Sequence, residues 1–170
     1  IKFCKELSEL NFFHKGNLDK INNSKMANNL TVKDNLVSLI SKIGEKIIIR
    51  RAKFFDNNDG LNFFYVHSAI EKNIGKIISV VKLDGIVKGK NEEIGPKIAM
   101  HIAASNPLAI DREDIDKKIV DKEMEIIKAE ILNSGKPDDL AEKISKGKIS
   151  KFLSDNSLLN QIWIMDPKKK

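Results

Sequence analysis

The residues able to do chemistry in this chain are few and scattered. Its three histidines, His14, His67 and His101, stand at separations that fit no metal-binding spacing. The lone cysteine, Cys4, excludes an internal disulfide and a thiolate metal cluster, and it points to a reducing compartment, the cytoplasm. No Gly-rich phosphate loop, G-x-S-x-G elbow or H-E-x-x-H helix occurs. Asp and Glu are plentiful, but they fall on the polar faces of helical patterns. Nothing assembles a nucleophile, a base and an oxyanion donor. The expectation is a binding or regulatory protein, without cofactor or metal, rather than an enzyme.

Two places still draw notice. His67 closes the strand-like run Phe63-Phe64-Tyr65-Val66-His67, where it is either a locally hydrogen-bonded strand end or a contact residue. Ile43-Gly44 sits where the hydrophobic period changes. Val32, Leu36, Leu39, Ile40 and Ile43 recur at helical spacing after a Thr31 N-cap, with Asp34 in the first turn. Gly44 then supplies a left-handed C-terminal residue, and Ile47-Ile48-Ile49 reads as a buried strand. The corner exposes an apolar residue beside a glycine. Trp163 and Met165 read as packing residues, and His101 as a structural residue on a packing helix.

The elements that must position these residues belong to an ordinary soluble composition. Of 170 residues, 41% are hydrophobic and 32% charged, enough for one domain or two small ones with a real core. The net charge of +6 mildly favours an acidic partner. The lysines are interleaved with Asp and Glu, so a solvated surface outweighs a nucleic-acid footprint, and Lys168-Lys169-Lys170 is too short to change that. No apolar run approaches the roughly 18 residues of a membrane helix. The chain opens without Met and inside a helical pattern, so a fragment of a longer protein is expected.

In order, the pattern predicts a helix over residues 1–10, a loop over 11–29 with a short helix near Leu18 and Ile21, then the Thr31 helix. Three strands follow: around Ile47–Ile49, over Leu61–His67 after the turn Asp56-Asn57-Asn58-Asp59-Gly60, and over Gly75–Leu83. They should form an antiparallel sheet with the Thr31 helix on one face. Residues 84–91 read as a linker. A helix over Glu92–Ser105 has a small-residue side at Ala99 and Ala103 and stops at Asn106-Pro107. Leu108–Ile110 suggests a brief strand. Asp114–Asn133 and Asp138–Leu153 form an antiparallel hairpin about the break Ser134-Gly135-Lys136-Pro137, and Gln161–Met165 reads as a last strand. The fold class is α+β. Two subdomains, 1–85 and 86–170, carry small antiparallel sheets packed with helices, and a helical hairpin at about 114–154 projects from the second.

Taken together, these segments resemble bacterial translation elongation factor Ts. Lys42-Ile43-Gly44-Glu45 with Arg50-Arg51 is similar to the family's K-I-G-E-N…R-R corner, Tyr65-Val66-His67 to its Y-x-H, and Gly75-Lys76-Ile77 to its G-K-I-G-V-L-V strand. Lys97-Ile98-Ala99-Met100-His101-Ile102-Ala103-Ala104 resembles K-x-I-A-M-H-V-A-A. Ser134 to Pro137, Glu142-Lys143-Ile144, Gly147-Lys148 and Lys151-Phe152 resemble the hairpin, and Leu158-Leu159 to Asp166-Pro167 resembles L-L-x-Q-x-F-V-x-D-P. Ile78 stands where the family usually has Gly, and Trp163 where it has Phe. The family's T-D-F-V-A helix is expected just before Ile1.

The resemblance implies a guanine-nucleotide exchange factor that binds the GTPase elongation factor Tu. Ile43, Gly44 and His67 would face the partner's nucleotide-binding domain, and Ile164 and Met165 another of its domains. It implies no cofactor, membrane or specific nucleic acid. Composition keeps two rivals open. One is a lysine-rich RNA- or ribosome-binding accessory protein. The other is a homodimer whose seam uses Val120, Met124, Ile127 and Ile131 at coiled-coil spacing.

Overall fold

The computed structural model describes residues 1–85, 89–133 and 138–168, and its mixture of helices with a β-hairpin is an α+β fold. The break at Ser134–Pro137, the middle of the expected linker and the last two lysines lie outside the described residues.

The first layer is helical: α1 (Lys2–Phe13), α2 (Leu18–Asn23) and α3 (Val32–Ile43). Local chemistry sets the ends. The Asn17 side chain accepts from the Lys20 N–H to cap α2, which buries Ile21. Thr31 and Asp34 form a reciprocal capping box on α3: Thr31 Oγ1 accepts from the Asp34 N–H at 3.1 Å, and Asp34 accepts from the Thr31 N–H at 3.3 Å. Val32, directly behind the cap, is fully buried. The α2–α3 loop is tied to α1 where Glu6 accepts from the Ala27 N–H. His14 is accounted for by a 2.6 Å hydrogen bond to Ser24, whose hydroxyl donates onward to the Lys20 carbonyl.

The sheet has two strands, β1 (Gly60–Glu71) and β2 (Ile74–Asp84), not the three expected. Ile47–Ile49 belongs to no ladder. β-Branched residues favour an extended backbone, but a strand also needs a partner edge. Further along, side-chain amides take up carbonyls between this segment and β1: Asn11 donates to Lys53, and Asn62 donates to Phe55 and Asp56. Ile47 and Ile49 line a groove with Phe3, Leu7, Leu36 and Leu39. The antiparallel pairs run unbroken from Gly60↔Asp84 to His67↔Ile77, and Ala69↔Gly75 keeps the same register. Ser68 then adopts φ +50°, and the pairing slips between Ala69 and Glu71. β1 therefore outruns the expected strand, and His67 is the last residue of its unbroken run of pairs, with Ala69↔Gly75 resuming the same register beyond Ser68. Gly75 makes the close approach possible: a Cβ there would meet Val66 Cγ1 at 2.5 Å and the His67 carbonyl at 2.7 Å.

Helix α4 (Lys90–Ser105) lies across this hairpin and packs on both strands. Gly95 lets it come down on the Phe63 ring, where any Cβ would collide. The Ser79 hydroxyl donates to the Ala99 carbonyl, and Ala99 is fully buried, as the small-residue side requires. Pro96, inside α4, cannot donate back to Glu92, so the helix forgoes one internal bond beside the contact. It ends at Asn106 in the left-handed conformation, one residue before Pro107.

The remainder is a helical hairpin and a tail. A single 3₁₀ turn, Arg112–Asp114, precedes α5 (Lys117–Asn133), which pairs with α6 (Asp138–Asp155). Ile127 and Ile131, candidates for a seam between two chains, are buried within one. The expected Leu108–Ile110 strand is a lone parallel bridge, Ala109↔Ser157, flanked by hydrogen bonds from Leu108 to Asn156 and from Leu159 to Ile110. The expected strand over Gln161–Met165 is instead irregular and ends in a turn at Ile164 and Met165, because side chains rather than a neighbouring strand hold it.

Packing at Gly95 decides the fate of α4. Gly95→Ala should destabilise the protein by about 1–3 kcal/mol despite the better helix former. Phe63→Leu should recover part of that loss in the double variant, and urea unfolding of all four proteins reads the coupling. A second expectation concerns Asp56, which accepts from Lys82 Nζ at 2.8 Å. That bond, the Asn58 N–H and the Lys82 charge hold the carboxyl below its ordinary value of 3.8. The folded value lies below the unfolded one, so the stabilisation is complete above about pH 3.8 and is lost as pH falls through the folded value. The melting-temperature gap between wild type and Asp56→Asn should therefore be present at neutral pH, close in acid, and narrow in high salt.

Candidate functional site

Ile43 is the last residue of α3, and the chain must leave the helix immediately after it. Gly44 does this at φ +77°, its N–H still bonded to the Ile40 carbonyl at 2.8 Å. A Cβ on Gly44 would meet nothing within 4 Å, so glycine is required here by backbone angle and not by packing inside the chain. Ile43 is left 56% exposed on a helix whose other end is firmly capped. The sequence about the corner is strongly basic. Lys42, Lys46, Arg50, Arg51 and Lys53 outnumber Glu45, and among the described residues none of these cations forms an ion pair.

His67 is exposed at the end of the unbroken run of pairs. Tyr65, two residues back and so on the same face, approaches His67 Nδ1 with its hydroxyl at 3.4 Å, the rings 6.1 Å apart. The local partner anticipated for a strand-end histidine is thus present, while the rest of the ring faces solvent. No hydrogen bond or ring contact joins His67 to Ile43 or Gly44 among the described residues.

Ile164 and Met165 are 38% and 43% exposed, on a tail fixed from behind by His101. His101 is only 1% exposed. Its Nε2 lies 3.1 Å from Gln161 Oε1, and its Nδ1 lies 3.4 Å from the Ile164 backbone nitrogen and 3.5 Å from Ser105 Oγ. Its ring stacks on Trp163 at 5.0 Å and 30°. The Gln161 amide nitrogen donates to the carbonyls of Ser105 and Asp155. The structural role expected for His101 is present. Gln161 and Trp163 are its unforeseen partners. The only sequence signal was a glutamine among apolar residues near the end of the chain, and nothing linked it to a histidine on α4.

The described residues contain no cluster of three or more His, Cys, Asp or Glu side chains able to hold a metal ion, and no helix long and apolar enough to cross a membrane. What fold and surface define is an α+β protein that displays apolar and basic residues at the ends of well-anchored elements. The family model for elongation factor Ts matches residues 1–170, and the chain belongs to this family of translation elongation factors. It is 37% identical to elongation factor Ts of Caulobacter vibrioides over 153 residues, covering 89% of this chain and 49% of that protein. It is 35% identical to that of Orientia tsutsugamushi over 173 residues, covering 99% and 55%. With that of Parvibaculum lavamentivorans the identity is 39% over 138 residues, covering 81% and 45%. The chain thus spans about half the length of the curated relatives it matches.

The Gly44 geometry separates strain from contact. Gly44→Ala should cost about 1–2 kcal/mol, because an L-residue is forced into the left-handed region. Gly44→Asn should cost clearly less, since asparagine tolerates that region. Equal losses in urea unfolding would show that backbone angle is not what glycine supplies.

Proposed function

We propose that this chain binds elongation factor Tu and promotes release of its bound GDP, a guanine-nucleotide exchange factor working by binding alone. The observation that carries the proposal is the corner at Ile43-Gly44. An apolar side chain is left more than half exposed on a capped helix, next to a glycine with open space before it. Membership of the elongation factor Ts family supports it. In this reading Ile43, Gly44 and His67 meet the partner's nucleotide-binding domain, and Ile164 with Met165 meets a second domain. The division into subdomains 1–85 and 86–170 belongs to the same proposal, as does a cytoplasmic location.

No covalent step is involved. A factor that prefers the nucleotide-free partner must weaken nucleotide binding by the same ratio, because the two equilibria share one thermodynamic cycle. Contact beside the phosphate site then shortens the residence of GDP.

The test follows release of fluorescently labelled GDP from elongation factor Tu on addition of the protein with excess unlabelled nucleotide. His67→Ala should slow stimulated release about tenfold, the effect of losing about 1.4 kcal/mol of transition-state contact. An undiminished rate from a folded variant removes His67 from the interface. Gly44→Asn should also slow release, although it leaves the fold nearly intact. No stimulation by the unaltered protein would refute exchange activity for this chain.

A further inference from the structure

We propose that His101 is a positioning residue for the Ile164–Met165 contact, holding that exposed pair in place through a single defined tautomer of its buried ring. The inference rests on the partner-binding reading of Ile164 and Met165.

The hydrogen-bonding chemistry leaves one self-consistent assignment. One end of the Gln161 amide lies 3.2 Å from the Ser105 carbonyl and 2.8 Å from the Asp155 carbonyl. Two acceptors demand the donor end, so this end is the NH₂. The amide oxygen therefore faces His101 Nε2, 3.1 Å away, and an acceptor there requires the ring proton on Nε2. Nδ1 is left with a lone pair, and at 3.4 Å it meets the N–H of Ile164. The Ser105 hydroxyl, at 3.5 Å from Nδ1, lies on the same side and also has a proton to give. Two backbone carbonyls on separate elements thus determine, through Gln161 and His101, where the Ile164 backbone sits.

The ring has a second hold on the same segment. Trp163 stacks on it at 5.0 Å, so residues on both sides of the Trp163–Ile164 peptide are fixed to α4. The segment has no ladder to define its path. His101 and Gln161 are 1% and 7% exposed, whereas Ile164 and Met165, directly after Trp163, are 38% and 43% exposed. His101 is shielded from any partner and acts only through what it orients.

Trp163 is the only tryptophan in the chain and reports on the segment directly. The experiment compares wild type, His101→Phe, His101→Asn, Gln161→Met and the double variant Ile164→Ala/Met165→Ala. Each is checked for folding by circular dichroism. Acrylamide quenching of Trp163 and affinity for nucleotide-free elongation factor Tu are then measured. His101→Phe keeps an aromatic face but loses both ring nitrogens. It should raise Trp163 quenching at least about twofold and weaken binding about tenfold, a loss comparable to that of the double variant. His101→Asn keeps an acceptor on the Nδ1 side and should recover part of the affinity, which a purely structural role would not produce. Should His101→Phe fail to fold, Gln161→Met releases the tautomer from the other side and should show the same paired changes. Wild-type affinity in a folded His101→Phe or Gln161→Met variant, while the double variant binds weakly, overturns the positioning role alone. Wild-type affinity in the double variant overturns the contact reading of Ile164 and Met165, and the positioning role with it.

Discussion

The close descent of α4 onto the hairpin is the constraint on which the rest of the molecule depends. A sheet of two strands is marginal by itself and needs a helix on its face to persist. Here the helix comes near enough for the Ser79 hydroxyl to reach the Ala99 carbonyl, and for Gly95 to admit the Phe63 ring. Larger side chains at 95 or 99 would lift α4 away. The same helix turns His101 toward the tail, so one element carries the sheet on one side and residues 161–164 on another. His67 on β1 and Ile164 on the tail share no hydrogen bond, yet both are referred to α4.

Outside this junction the interior is small. The accessible surface is 12,695 Å², whereas a compact monomer of 19.2 kDa would expose about 8,400 Å². Much of the excess is apolar: Phe12, Phe13, Phe64 and Leu132 are each more than half exposed. Hydrophobic stabilisation scales with area removed from water, so a chain that leaves this much uncovered has apolar area to bury in association. The hairpin illustrates the split. Ile127 and Ile131 are consumed in holding α5 to α6, while Leu132 and Leu140 stay in solvent.

What could be read from sequence divides along the range of the interactions. The Thr31 cap, the Gly44 stop, the short α2 and the hairpin helices rest on neighbours within a turn or two, and residue types there state the outcome. The strands expected at Ile47–Ile49 and Gln161–Met165 failed for a common reason. β-Branched or apolar composition records a preference for extended backbone, but a ladder is made with a distant segment. At Ile47–Ile49 no distant segment among the described residues pairs with the chain, and at Gln161–Met165 the His101 ring took the role of that segment. His67 falls between these cases. Its strand was legible, but the break at Ser68 that interrupts the run of pairs directly after it was not, since Ser68 is not a residue that announces a positive φ. The homology was more legible than any element, because it drew on patches from the whole chain at once.

Each proposed contact lies at an end or a break of a hydrogen-bonding pattern. Gly44 ends a helix, His67 stands before a break in a ladder, and Ile164 follows a buried polar network that fixes its own amide. At such an end the chain has to turn outward, which exposes side chains that a helix or strand interior would pair. The frame behind each is nevertheless complete: a capping box at one end of α3, Tyr65 beside His67, and Gln161 and Trp163 about His101. Ordering a mobile side chain at an interface costs about 0.5–1.5 kcal/mol each, and a surface already held in place avoids much of that loss. The proposed exchange by binding would need this economy. Under that proposal the factor would have to hold the nucleotide-free partner tightly enough to displace GDP and still be released when nucleotide returns. Preorganised contacts of small area meet both demands better than a large surface that folds on docking.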